Sequence, residues 1–200
     1  MTRKQHGFTI VELLIVIVVI GVLTSLTAVA YSGVQKRATT SVISAAAVQW
    51  EKLLTQESTV ARSLTDPGTG FYHTCLGRSI NDFPAEDGFL AGECGYHIYN
   101  SLSGQRVSQE KYQESSFQNW PSDMARPSGK LPTVCITREN TDVSCMRGIL
   151  LTRSGTSGAG YTELSWSVPT KDECTPGERA APASTIQWTK GSPCLKRINY

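Results

Sequence analysis

From Phe8 to Ala30 the chain is apolar at nearly every position, broken only by Thr9, Glu12, Gly21, Thr24, Ser25 and Thr27. As a helix this 23-residue run is about 35 Å long at ~1.5 Å per residue, enough to cross a hydrocarbon layer of about 30 Å. After Ala30 the pattern changes but does not stop. Residues 31–57 contain no proline, and helix formers such as Gln35, Lys36, Arg37, Ala45, Glu51 and Lys52 are frequent. Ile43, Ala46, Ala47, Trp50, Leu53 and Leu54 recur at spacings of three and four, which makes one apolar face. Lys36, Arg37, Gln49, Lys52 and Gln56 fall off that stripe. The pattern predicts one helix from Phe8 to about Gln56, on the order of 70 Å long. Its first half is apolar all round and its second half is amphipathic. Asp66-Pro67-Gly68 is the strong break that follows.

From residue 67 to 200 the period shortens. Val134-Cys135-Ile136-Thr137 predicts a strand, Val143–Arg153 predicts another, and Leu164–Val168 alternates apolar and polar as a half-buried strand does. Ile186-Gln187-Trp188 is a weaker strand. A Gly/Ser-rich turn over 154–160 suggests that the strands on either side of it pair antiparallel. Residues 100–130 are polar, with a short helix predicted around Ser108–Gln118 and turns at Pro121, Pro127 and Gly129. About 130 residues suffice for an independent core. The fold class expected is α+β, a long N-terminal helix whose amphipathic half packs on an antiparallel sheet.

Charge sharpens the N-terminal pattern. Within the first 30 residues the only Lys and Arg are Arg3 and Lys4. By the positive-inside rule residues 1–7 stay in the cytoplasm and everything past Ala30 is exported. Glu12 lies inside the apolar run, where an acid costs roughly 2.5–3.5 kcal/mol at the helix centre. A charge held there needs a partner, which points to function. Two plainer readings compete. Ala28-Val29-Ala30 looks like a secretory cleavage site, but the apolar run is longer than an ordinary signal core and Glu12 sits within it. A simple one-pass anchor would leave Glu12 incidental.

The stretch Gly7-Phe8-Thr9-Ile10-Val11-Glu12, after a short basic leader and before the apolar run, resembles the class III signal of type IV prepilins and pseudopilins. The resemblance covers about the first 50 residues. It implies cleavage by a prepilin peptidase between Gly7 and Phe8, removal of residues 1–7 as a leader peptide, and N-methylation of Phe8. It makes residues 8–30 the membrane span and later the filament core, residues 31–57 the continuation of the helix, and residues 67–200 the exported β-rich domain. Glu12 becomes the assembly residue, four positions from the new amine of Phe8. Its carboxylate would pair with its own subunit's amine or a neighbour's, because an unpaired charge in a filament core is costly. Many relatives carry a proline in the second half of the span. This chain has none, and Gly21 with Thr24, Ser25 and Thr27 is its weakest helical stretch, either a site of unwinding or a place for close helix packing. The partners implied are the peptidase/N-methylase, an inner-membrane assembly platform with its ATPase, and further copies of the subunit in a helical filament on the cell surface. The alternatives are a pseudopilin of a type II secretion or competence system, or a minor or tip pilin serving as an adhesin or DNA-uptake module. Twitching motility, adhesion and DNA uptake are equally open.

The six cysteines, Cys75, Cys94, Cys135, Cys145, Cys174 and Cys194, all lie in the exported part. That placement argues for disulfides, with 15 connectivities available. The sequential set Cys75–Cys94, Cys135–Cys145 and Cys174–Cys194 is the most economical, and the last loop looks like the C-terminal disulfide loop of many type IV pilins. A sharper alternative is a Cys₂His₂ zinc site from His73, Cys75, Cys94 and His97, although the His-x-Cys half is tight for one tetrahedral ion. No motif for a nucleophile elbow, a zinc protease or a phosphate loop occurs, so neither an enzyme activity nor a cofactor is expected. Glu86-Asp87-Gly88 reads as a surface turn. The net charge of +2 is near neutral. Lys190, Lys196 and Arg197 give a basic C-terminal end that either touches DNA or an acidic surface or is simply solvated. A binding module would find its largest loop region between Gly95 and Lys130.

Overall fold

The structure is a computed structural model and describes residues 9–56, 72–98, 106–117, 120, 124–138, 142–154, 161–170, 173–174, 178–179 and 188–198. The Asp66-Pro67-Gly68 break, Ile186 and Gln187 lie outside these residues. Helix α1 spans Ile10–Gln56, 47 residues without interruption. The chain divides into two units, Met1–Ala38 and Thr39–Tyr200.

In the first unit α1 is apolar on every side and covered on none. Its large apolar residues from Ile10 to Leu26 are between 49% and 78% exposed. The segment is long and apolar enough to cross a membrane. The hydroxyls of Thr24, Ser25 and Thr27 are satisfied within the helix. Thr24 Oγ1 donates to the carbonyls of Ile20 at 2.9 Å and Gly21 at 3.0 Å. Ser25 Oγ donates to Val22 at 2.7 Å, and Thr27 Oγ1 to Leu23 at 3.1 Å and Thr24 at 3.0 Å. Hydroxyls bonded back to the preceding turn lose no partner in hydrocarbon.

In the second unit the last turns of α1 bury Ile43, Ala46, Ala47, Trp50 and Leu54, while Leu53 is only half-buried. Among the described residues the same unit holds ten strands. They are β1 (Tyr72–Leu76), β2 (Glu93–Ile98), β3 (Arg106–Lys111), β4 (Val134–Arg138), β5 (Val143–Met146), β6 (Ile149–Ser154), β7 (Tyr161–Val168), β8 (Glu178–Arg179), β9 (Trp188–Lys190) and β10 (Ser192–Ile198). They form two antiparallel sheets instead of the one expected, in the orders β1-β6-β7-β10-β8 and β3-β2-β5-β4-β9. Helix and strand residues join in one core, with Trp50, Trp166, Phe83, Leu76, Ile149, Leu151 and Leu164 completely buried. The Lys196 ammonium meets the Glu51 carboxylate at 3.3 Å and Thr40 meets Thr170 at 2.9 Å, so polar pairs flank the apolar contact between α1 and its surroundings.

Three expectations are corrected. Val143–Arg153 is two strands in different sheets, because the chain changes sheet at Arg147-Gly148. Met146 pairs with Gly95 and Val134 in one sheet, whereas Ile149 pairs with Leu76 in the other. The Arg147 side chain is pulled inward to donate from Nε to the Glu93 carbonyl at 2.8 Å. At Gly148 a Cβ would come within 3.0 Å of Phe83 and 3.1 Å of Cys94, so a side chain at the bend would crowd both neighbours. Secondly, the helix expected around Ser108–Gln118 is an edge strand, β3, followed by a single 3-10 turn at Glu114–Phe117. Pairing with β2 overrides local propensity there. Thirdly, the Gly95–Lys130 region is not simply a loop, since it includes most of β2 and all of β3. The pair flanking the 154–160 turn, β6 and β7, is antiparallel, although residues 155–160 of the turn lie outside the described part.

Phe83 shows why glycine occurs where it does. Its ring is fully buried, and a Cβ on Gly77, Gly129 or Gly148 would lie 2.9, 2.5 and 3.0 Å from it. Three glycines thus make the slot for one aromatic ring. Asp82 closes the slot, accepting from the amides of Arg78 at 2.8 Å and Gly129 at 2.7 Å.

Candidate functional site

The site is the start of α1. Thr9 immediately precedes the first helical residue, and Glu12 is the acid of the first turn. The two form a reciprocal cap. The Thr9 amide donates to Glu12 Oε2 at 2.9 Å, the Thr9 hydroxyl donates to the same oxygen at 2.9 Å, and the Glu12 amide donates to Thr9 Oγ1 at 3.3 Å. The Leu13 amide reaches the Thr9 carbonyl at 3.4 Å. This is the Ser/Thr-x-x-Glu capping box, which satisfies amides that a helix start otherwise leaves without partners. It also holds the carboxylate toward the positive end of the helix dipole. Glu12 is exposed, and its Oε1 carries no hydrogen bond or ion pair among the described residues. One oxygen is held by the cap, and the other has no partner among the described residues. The motif contains Thr9 but gives it no role; the Thr-x-x-Glu spacing is the signal that reveals its capping role. Gly7 and Phe8 lie outside the described residues.

The other candidate groups are engaged elsewhere. Cys75 is bonded to Cys94, Cys135 to Cys145 and Cys174 to Cys194. The first bridge removes both thiolates from the His73/Cys75/Cys94/His97 zinc set. His73 Nδ1 lies 3.0 Å from Thr152 Oγ1 on the neighbouring strand. No group of three or more His, Cys, Asp or Glu is placed to hold a metal among the described residues. At the basic C-terminal end, Lys196 pairs with Glu51 and Arg197 with Glu163 at 3.4 Å.

The Glu86-Asp87-Gly88 segment is a turn, with Asp87 at φ 52 and Gly88 at φ 82. A shallow recess beside it is lined by Asp82, Glu86, Asp87, Lys130 and Arg147. Its acidic groups and Arg147 are engaged structurally. Asp87 accepts from the Thr133 hydroxyl at 3.2 Å. Arg147 lies 4.4 Å over the Phe89 ring and 3.8 Å from Glu86. Burial pulls the Arg147 pKa below its ordinary value, and the charges of Glu86, Glu93 and Asp87 oppose that pull.

Tyr112, Glu114 and Arg126 form a second fixed cluster. The Tyr112 hydroxyl donates to Glu114 Oε2 and accepts from Arg126 Nη1 at 3.0 Å. Burial, and then the bond to Glu114, push the Tyr112 phenol up to about 12. That same bond is the main cause holding the Glu114 carboxyl below its ordinary value, with the Arg126 charge adding to it. A phenol so held stays neutral at ordinary pH and serves as a clamp.

Residues 2–28 match the family model described as the prokaryotic N-terminal methylation motif, the class III signal of type IV pilins and pseudopilins. The match covers the N-terminal residues and most of the apolar part of α1. No curated protein and no solved structure matches the chain. Motif and exposed apolar helix together fit a membrane-anchored precursor.

Proposed function

We propose that this chain is the precursor of a subunit of a type IV pilus-like filament. A prepilin peptidase cuts between Gly7 and Phe8, the same enzyme methylates the new amine, and subunits polymerise through residues 8–30. The observation that carries this reading is the methylation motif at residues 2–28, continuous with a helix whose apolar side chains are exposed all round. Such a surface is stable in lipid before assembly and against other copies of itself afterwards. Glu12 is the assembly residue. Glu12 is exposed, and the amine of Phe8, its own subunit's or a neighbour's, is the charge it would take. The subunit begins as a single-pass cytoplasmic-membrane protein, served by the assembly platform and its ATPase, and ends in a filament at the cell surface. A pseudopilus of a secretion or competence system would use the same N-terminal chemistry.

N-terminal sequencing of the protein from cells that carry the peptidase tests the reading. N-methylated Phe8 is expected, and an N-terminus at Tyr31 would overturn it. Shearing the cells should release this chain in filaments; its retention wholly in the membrane fraction counts against polymerisation.

A further inference from the structure

We propose that the Cys135–Cys145 disulfide is a thiol-exchange site, opened at Cys135 by a low-molecular-weight thiol while the fold stays intact. The three bridges differ in access. Cys75 and Cys94 are 0% exposed, and Cys174 and Cys194 are 7% and 1% exposed. Cys135 alone lies exposed, while its partner Cys145 is 2% exposed. The strand pattern explains the difference. In β4, Val134 and Ile136 point into the core, so Cys135 between them points out. Register places Cys145 between Cys135 on one side and Tyr96 on the other, so Cys145 is flanked on both neighbouring strands. Exchange requires a thiolate to reach a sulfur in line with the S–S bond, and access governs which sulfur is attacked.

The step balances without an outside oxidant or reductant. The thiolate attacks Sγ of Cys135 and forms a mixed disulfide there. The Sγ–Sγ bond breaks, and Cys145 leaves as a thiolate that takes a proton from water. Attack by Cys145 on the mixed disulfide reverses the step and expels the thiol. Opening leaves the local structure in place. Val134↔Met146, Ile136↔Ser144 and Thr137↔Val143 still pair β4 with β5, β2 holds the other edge of β5, and β9 holds the other edge of β4. The bridge also closes the shortest loop, with a sequence separation of 10 against 19 and 20. Its entropic contribution is therefore the smallest of the three.

The test uses the full chain in detergent, incubated with reduced glutathione without denaturant, quenched with acid, alkylated and mapped by peptide mass spectrometry. The expected result is glutathione on Cys135, alkylated Cys145, and complete retention of the Cys75–Cys94 and Cys174–Cys194 cystine peptides. Opening of either other bridge at the same rate or sooner overturns the proposal, as does the adduct falling on Cys145 or no opening until denaturant is added. The Cys135→Ser/Cys145→Ser double variant should take up no glutathione and keep a cooperative thermal transition. Loss of that transition would overturn the claim that the bridge opens without unfolding.

Discussion

Thr9 and Glu12 hold each other across the first turn of α1, with the Thr9 amide and hydroxyl both 2.9 Å from the single oxygen Oε2. The arrangement is sensitive to one atom. Thr9→Val keeps the amide and removes the hydroxyl that serves as donor to Glu12 and acceptor for its amide. Loss of such a cap costs about 1 kcal/mol, so hydrogen exchange at the Glu12 and Leu13 amides in micelles should speed roughly fivefold. Thr9→Ser should restore the slow exchange, and equal rates in all three proteins would remove the cap from the account.

Glu12→Val separates insertion from assembly. The substitution makes the apolar run more hydrophobic, so the membrane fraction should hold at least as much protein as with Glu12. Under the proposed function the yield of sheared filaments should fall sharply, because no carboxylate remains to receive the Phe8 amine. An unchanged filament yield would deny Glu12 its assigned role.

Two glycines should respond oppositely to alanine. At Gly129 a Cβ would lie 2.5 Å from the Phe83 ring and 2.6 Å from the Leu76 carbonyl. One of these obstacles is backbone, and Phe83 has no room to retreat from its slot. Gly129→Ala should destabilise the two-sheet unit by about 1–3 kcal/mol, seen as a lower thermal midpoint by circular dichroism. Gly21 has nothing within 4 Å, so Gly21→Ala should leave that midpoint unmoved and raise helicity in the apolar segment.

Alkali should loosen the Tyr112 clamp. Because the folded phenol is raised from 10.0 to about 12, the folded state holds its proton more tightly than the unfolded state does. The stability this provides is present below about pH 10 and is lost as the pH rises toward 12. A displacement of that size is worth on the order of 2–3 kcal/mol. The thermal midpoint should fall across this window, and Tyr112→Phe should flatten the fall. A fall of the same depth in Tyr112→Phe would assign it to other groups.

Periodicity carried far where one element decides its own structure. The helical stripe Ile43, Ala47, Trp50 and Leu54 was legible because burial on one side repeats every three or four residues. The strand β7 was legible because Leu164–Val168 alternates, and β4 because its short run is rich in β-branched residues. What local pattern does not contain is the partner. Val143–Arg153 has the composition of one strand, and its division at Arg147 is set by the Glu93 and Leu90 carbonyls, more than 50 residues upstream. β3 is polar in sequence and owes its strand form to β2. At the helix start, the carboxylate stood out because its surroundings are apolar, whereas Thr9 blended into a run in which threonine is unremarkable.

The position of β10 governs when this protein is able to fold. Last in chain order of the strands among the described residues, it lies inside its sheet, paired with β7 on one side and β8 on the other, and it bears Cys194. Until residues 192–198 have been synthesised, β7 has an open edge and Cys174 lacks its partner, so the sheet next to α1 remains unfinished. A chain emerging N-terminus first therefore has its helix in place well before the sheet can close. The interval between the two is a window of exposed strand edge, in which chaperone capture or proteolysis competes with folding.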